Sequence, residues 1–254
     1  MLKRALFFAY GSISYLIFFG TFCYAAGFIG NFAVPTRLDG PASGSFATAL
    51  AIDIGLLGLF ALQHSIMARK WFKEGWTLYV PQPIERSTYV LFSSVALILM
   101  FVLWRPLGGV VWHVEDPFGR ALFYGLFAFG FLLVLVSTFL INHFDLFGLR
   151  QVWLYLRAKP YTSLRFGTPG PYRLVRHPLY VGWLFAFWMT PTMTLAHLLF
   201  AVATTAYILI AIQFEERDLV RDHGDDYELY REMVPMLVPF MRRRGAAADA
   251  DVGA

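Results

Sequence analysis

The chain has 254 residues, of which 58% are hydrophobic, 18% aromatic and only 15% charged. Soluble domains carry about a quarter charged residues, so this composition excludes an ordinary soluble enzyme and indicates a membrane protein. The net charge of +4 is spread along the chain and not gathered in one block, which argues against nucleic acid as a partner.

The first apolar run, residues 6–29, follows Lys3 and Arg4. It is longer than the hydrophobic part of a signal peptide and no small-residue cleavage site stands out after it, so it reads as a membrane span. The single cysteine, Cys23, lies inside this run, which rules out a disulfide framework or a cysteine metal site. Further apolar runs follow at 46–67, 89–103, 121–141, 179–190 and 195–214. A helix needs roughly 20 apolar residues to cross the hydrocarbon core. The third run is marginal by that measure, and the fifth has 12 residues before Pro191. Hydropathy alone therefore gives five to six transmembrane helices in an all-α polytopic fold.

Charge decides the count. With six passes and an internal N-terminus, every one of the 21 Lys and Arg residues except Arg37, Arg105 and Arg120 falls on one side. That side is cytoplasmic by the positive-inside rule. The expectation is an even topology with both termini cytoplasmic, in a bacterial inner membrane. Residues 1–241 form a single domain, with four spans in 1–141 and the remaining elements in 142–241. Residues 242–254, basic and then Ala/Asp/Gly-rich, are expected to be a disordered tail.

Two segments on the basic side exceed mere connectors. The first, 142–178, ends in a Gly/Pro-rich turn at Gly167, Pro169, Gly170 and Pro171, a basic hinge at Arg173, Arg176 and His177, and Pro178 in the first turn of the next helix. The second, 215–240, places Leu219, Tyr227, Tyr230 and Val234 at helical spacing and closes at Pro235 and Pro239, which predicts an amphipathic helix. Polar groups then gather at one depth: Gln63 and His64, Asn142, His143 and Asp145, Arg176 and His177, Glu215 and Glu216. Ionisable groups at membrane depth are costly and face a cavity or one another. Their convergence predicts a site at the cytoplasmic interface. Asp53 lacks an obvious partner, and His113, Glu115 and Asp116 read as solvated.

GPYRLVRHPLYVG (170–182) resembles the R-H-P-x-Y-x-G signature of the isoprenylcysteine carboxyl methyltransferase-like membrane proteins. EERDL (215–219), HGDDYELY (223–230) and Val234-Pro235 look like that family's continuation, in order and spacing. QHSIMAR (63–69) and NHFDLFGLRQVW (142–153) resemble its bacterial thiol-methylating branch. The resemblance implies an S-adenosylmethionine-dependent methyltransferase with its cofactor pocket on the cytoplasmic side, capped by the C-terminal helix. Carried over by position, His177, Tyr180 and Gly182 line the cofactor from one side, Glu215 and Glu216 from the other. The residue types suit that ligand: tyrosines at 172, 180, 227 and 230 for adenine, the glutamate pair for ribose hydroxyls, and Arg173 or Arg176 for its carboxylate. Thus Tyr172, Arg176 and Tyr227 join the expected cofactor set.

Many family members carry arginine directly after the Val-Pro, where this chain has Met236. That departure favours a small neutral or thiol acceptor over a carboxyl one, and methanethiol, giving dimethyl sulfide, is the substrate the branch implies. A thiol needs a base, and His143 with Asp145, or His64, are the candidates. Aromatic residues around Trp183, Phe185 and Phe187 suit lateral entry of a volatile thiol from the bilayer. Three alternatives stay open: a carboxyl or lipid methyltransferase of the isoprenylcysteine type, a transporter or assembly protein, and a sterol-reductase-like enzyme with a nicotinamide cofactor. Neither a P-loop, a Rossmann fingerprint nor a His-x-x-x-His helix is present. No metal and no obligate protein partner is inferred.

Overall fold

A computed structural model describes residues 1–42, 44–164 and 167–239. The tail expected to be disordered lies outside the described residues. In chain order the elements are α1 (Leu2–Gly30), α2 (Phe46–Ala68), α3 (Lys70–Trp76), α4 (Gln82–Leu103), β1 (Val110–His113), α5 (Pro117–Ile141), α6 (His143–Leu146), α7 (Leu149–Leu156), a 3-10 turn at Gly170–Arg173, α8 (Pro178–Trp188), β2 (Thr192–Thr194), α9 (Leu195–His223) and α10 (Asp225–Met233). Helices α1, α2, α4, α5 and α9 are long and apolar enough to cross a membrane. The fold is an all-α polytopic bundle.

The passes alternate between two faces. At the face carrying Met1, Phe7 stacks on Tyr155 of α7, Arg69 at the end of α2 pairs with Asp218 of α9 at 3.1 Å, and Arg86 donates to the Leu146 carbonyl. At the opposite face, Trp104 donates to the Leu38 carbonyl, and β1 pairs antiparallel with β2. The α8–α9 turn is therefore at the opposite end of the bundle from His177. Helix α8 has 11 residues, about 16 Å at 1.5 Å per residue, shorter than a membrane span, and a turn at 189–191 leads from it into the extended β2. The small β1–β2 pair was not anticipated from sequence; it gives the backbone of that extended stretch hydrogen-bond partners where no helix supplies them.

Local chemistry explains the boundaries. Asp116 caps α5 by accepting from Gly119 N–H, with Pro117 in the first turn. Thr194 caps α9 by accepting from His197 N–H. The third apolar run extends back to Gln82, with Pro83 in its first turn. The sixth does not stop at 214: α9 runs unbroken through Glu215 and Glu216 to His223. At 29 residues it spans about 43 Å, longer than the roughly 30 Å hydrocarbon core, so its last turns emerge from the apolar layer. Gly224, at φ 55° and ψ −132°, adopts a conformation closed to other residues and turns the chain back into α10.

The core runs between α1, α4, α5, α8 and α9 through Phe28, Met100, Phe101, Trp104, Phe127 and Phe200. The outer faces of α2 and α5 stay apolar and exposed, with Leu62 at 63% and Leu132 at 59%, as lipid-facing surface requires. Helix α8 rests chiefly on α5. The approach is a glycine crossing: a Cβ on Gly130 would lie 2.6 Å from the Gly182 carbonyl oxygen, and one on Gly182 would lie 2.7 Å from that of Gly130.

Candidate active site

The last turns of α9, the start of α8 and the chain after α10 meet at the face carrying Met1. His177 ends the basic hinge as the residue before α8. Its Nε2 donates to Glu216 Oε1 at 3.1 Å, and its Nδ1 lies 4.0 Å from Glu215 Oε2. Glu216 Oε1 also accepts from Arg176 Nε at 2.7 Å. One carboxylate oxygen thus holds both basic residues of the Arg-His pair, and all three side chains are at most 10% exposed.

Arg176 does more. Its Nη1 donates to the carbonyls of Arg231 at 2.9 Å and Val234 at 2.6 Å, capping the C-terminal end of α10. The backbone N–H groups of Arg176 and His177 donate to the carbonyls of Pro235 and Met236. Tyr230 donates from its hydroxyl to the Tyr172 carbonyl. These contacts dock α10 and residues 234–236 against the hinge before α8. Arg176, expected to meet a cofactor carboxylate, has Nε and Nη1 committed to this docking.

Glu215 is the accessible member of the pair, with its side chain 44% exposed. It accepts from the Tyr180 hydroxyl at 2.9 Å. Burial, then the negative charge of Glu215, raise the pKa of the Tyr172 phenol above its ordinary value. Tyr227 is 1% exposed, and its phenol is likewise raised by burial and by the charge of Glu216. Tyr172, Arg176, His177, Tyr180, Glu215, Glu216 and Tyr227 therefore form one cluster. Gly182 faces away from it, in the backbone contact with Gly130.

His64 reaches the same region from α2. Its ring meets the Tyr89 hydroxyl, 2.9 Å from Nε2, and Ser93 Oγ, 3.1 Å from Nδ1, and stacks on Phe60. The next residue, Ser65, bonds the Tyr207 hydroxyl of α9 at 3.0 Å. The phenols of Tyr207 and Tyr89 lie within electrostatic reach of Tyr180, so His64 and the Tyr180–Glu215 pair border one seam between α2, α4, α8 and α9. Tyr89, Ser93 and Tyr207 were not singled out from sequence. Arg86, Tyr89 and Ser93 recur at helical spacing in the polar first half of α4, and that stripe was the available signal.

His143 lies elsewhere. It is 3% exposed and stacks on Phe139 with ring centroids 4.2 Å apart. Thr138 Oγ1 donates to the Leu135 carbonyl and accepts from His143 Nδ1 at 2.8 Å, which leaves Nε2 to accept from the Tyr15 hydroxyl at 2.9 Å. Burial lowers its pKa below the ordinary value. Asp145 does not join it: its carboxylate takes Arg150 at 2.8 Å and the Tyr161 hydroxyl at 3.2 Å. Trp183, Phe185 and Phe187 pack against Phe131, Phe129 and Phe200, so this aromatic set closes the helix interior between α5, α8 and α9. Asp53 Oδ1 accepts from Arg105 N–H beyond the end of α4. His113 bonds Thr192 across the β pair.

The fit to an S-adenosyl ligand rests on donor chemistry. A half-exposed carboxylate with one phenol already on it suits ribose hydroxyls or an ammonium. The tyrosines beside it offer faces for adenine. Among the described residues no cluster of His, Cys, Asp and Glu suits a metal ion.

No protein-family model and no solved structure matches the chain. Curated relatives do. The chain is 59% identical to methanethiol S-methyltransferase of Crocosphaera subtropica, over 96% of this chain and 95% of that protein. It is 51% identical to the protein of the same name from Mycobacterium tuberculosis, over 95% and 99%. At greater distance it is 32% identical to human nurim, over 69% of this chain and 70% of that one. With both near-full-length relatives far above the level at which descent is in question, the chain belongs to the methanethiol S-methyltransferase family.

Proposed function

We propose that the protein methylates methanethiol to dimethyl sulfide with S-adenosylmethionine as donor, at the cytoplasmic interface of a bacterial inner membrane. The observation that carries this reading is the 59% identity over 96% of the chain to a protein named methanethiol S-methyltransferase. The basic residues crowded at the face carrying Met1 support a cytoplasmic orientation of that face.

S-adenosylmethionine, when bound, supplies an electrophilic methyl group on a sulfonium. The protein's own residues supply position, dryness and a base. Glu215 and Tyr180 hold the polar part of the donor, with Tyr172 and Tyr227 beside them. Arg176, His177 and Glu216 act indirectly, by pinning α10 over the site and excluding water. A thiol is a poor nucleophile until deprotonated, with cysteine's pKa at about 8.5. His64 is the base the geometry favours, taking the thiol proton at Nε2 once the thiol displaces the Tyr89 hydroxyl that lies 2.9 Å from it. It borders the seam shared with Tyr180, and Ser93 steadies its other ring nitrogen. His143 and Asp145, the other sequence candidates, keep positioning roles: one joins α1 to α5, the other holds the 159–162 segment. Met236 contributes its backbone carbonyl to His177 and packs its side chain against the core, so position 236 itself offers a carboxyl acceptor no cation.

The test uses purified full-length protein in nanodiscs with radiolabelled S-adenosylmethionine, offered methanethiol and a prenylcysteine analogue separately. Label in the volatile fraction is expected, with His64→Ala abolishing it while donor binding persists. Label confined to the lipid-extractable fraction would instead place the protein among carboxyl or lipid methyltransferases. Full turnover in His64→Ala would remove its role as base.

A further inference from the structure

Beside α3, at the face carrying Met1, lies a cavity of about 500 Å³ whose lining includes none of the Tyr180–Glu215 cluster. Its walls come from Lys73 of α3, Glu85 and Arg86 of α4, Asp145 of α6, Gln151 of α7, and Lys159. The Asp145 carboxylate is already taken by Arg150 and Tyr161. That leaves three cations facing one carboxylate, Glu85. The amino-terminal turn of α4 also opens here, at Gln82 and Pro83, adding the positive end of a helix dipole. Gln151 Nε2 donates to the Asp145 carbonyl, while its Oε1 is buried with no hydrogen-bond partner. The cavity thus offers positive charge for an anion and one buried acceptor for a hydroxyl.

Its surroundings identify the phase the ligand comes from. Trp71 is 64% exposed, Leu78 81% and Tyr79 84%, and aromatic and apolar residues placed this way anchor a segment at the headgroup level of a bilayer. Leu154 and Tyr155 give the cavity an apolar edge. Burial first, then the Arg86 and Arg69 charges, lower the pKa of Lys73 against the opposing charges of Glu85 and Asp218.

We infer that this cavity binds the headgroup of an anionic phospholipid with a hydroxylated head, its phosphate on Lys73, Arg86 and Lys159 and a headgroup hydroxyl on Gln151 Oε1. The bilayer that surrounds the protein supplies such a lipid at high local concentration. The site is distinct from the Tyr180–Glu215 cluster, so it stands or falls independently of the acceptor.

The experiment measures lipid retained by the purified full-length protein from nanodiscs containing phosphatidylglycerol or phosphatidylcholine, by native mass spectrometry. Each juxtamembrane cation contributes about fivefold to anionic-lipid affinity. The Lys73→Gln/Lys159→Gln double variant should therefore lose phosphatidylglycerol about 25-fold, whereas Lys70→Gln, on the exposed side of α3, should retain it. Equal retention of the two lipids, or retention unchanged in the double variant, overturns the inference. Saturable stabilisation by glycerol 3-phosphate with no lipid retained also overturns it, by assigning the cavity to a soluble phosphate.

Discussion

Replacing Arg176 with methionine is the sharpest test of how this site is held together. The change removes a guanidinium whose side chain is 5% exposed, 2.7 Å from a Glu216 carboxylate that is itself 10% exposed. Glu216 is left with His177 alone, and the Arg231 and Val234 carbonyls lose their donor. Breaking a buried pair by removing one partner costs about 3–5 kcal/mol. The bundle need not bear that cost, because α10 and residues 234–236 can lift away and admit water to the carboxylate. The expected outcome is local: amide exchange across 225–236 speeds by about a hundredfold or more, with α4 and α5 still protected. Arg176→Lys keeps the charge but not the fork, and falls in between. Hydrogen exchange of the nanodisc-embedded protein, read beside donor binding, measures both effects. If Arg176→Met leaves 225–236 protected and weakens only S-adenosylmethionine binding, Arg176 is a cofactor ligand and the docking role is wrong.

Three further outcomes follow from other parts of the molecule. Gly130→Ala pushes a methyl into the Gly182 carbonyl and should destabilise by about 1–3 kcal/mol, seen as a lowered melting temperature. Gly125→Ala, on the same helix with nothing within 4 Å, should be neutral or stabilising by up to about 1 kcal/mol. His143 has a folded pKa below its ordinary 6.5, so the unfolded chain binds the proton more readily. Its contribution is complete above pH 6.5 and is lost as pH falls below it; thermal melts from pH 7.5 to 5 should show this slope flatten in His143→Gln. Glu215→Gln should raise the KM for S-adenosylmethionine about tenfold or more while leaving melting unchanged, and equal losses in KM and stability would make Glu215 structural.

Depth was legible in the sequence; direction around each helix was not. The apolar runs located the five helices long enough to cross a membrane and the shorter α8. The Arg-His-Pro hinge and the glutamate pair were correctly placed at one level because residue number along a helix converts directly into height. Azimuth needs contrast between faces, and an apolar helix in lipid has little of it. Hence the part that the missing Cβ of Gly182 plays in the α5 crossing could not be read from the sequence. His143 and Asp145 are near neighbours in sequence, yet their side chains diverge to Tyr15 and Arg150. For His64 the partners come from α4, and only a polar stripe in that helix hinted at them. Arg176 presents a different difficulty: besides Glu216, its side-chain partners are backbone carbonyls, which every sequence contains.

The two ends of α9 explain why the site sits where it does. At one end His197 Nδ1 bonds Asp39 Oδ2 and Nε2 bonds the Phe187 carbonyl, while Asp39 also takes Thr194 and Asn31. That suture ties the α1–α2 loop, α8 and β2 to the start of α9, and His197 is 0% exposed. At the other end Glu216 gathers Arg176 and His177. Nineteen residues separate His197 from Glu216, about 28 Å of helix, close to the roughly 30 Å thickness of a hydrocarbon core. A single rigid helix thus fixes two buried polar layers one bilayer apart. Glu215, one residue short of that second layer and with its side chain 44% exposed, is thereby held at a fixed height where the apolar part of α9 ends. Because α8 is too short to define that height alone, the polar suture at the far end matters to the chemistry at the near one.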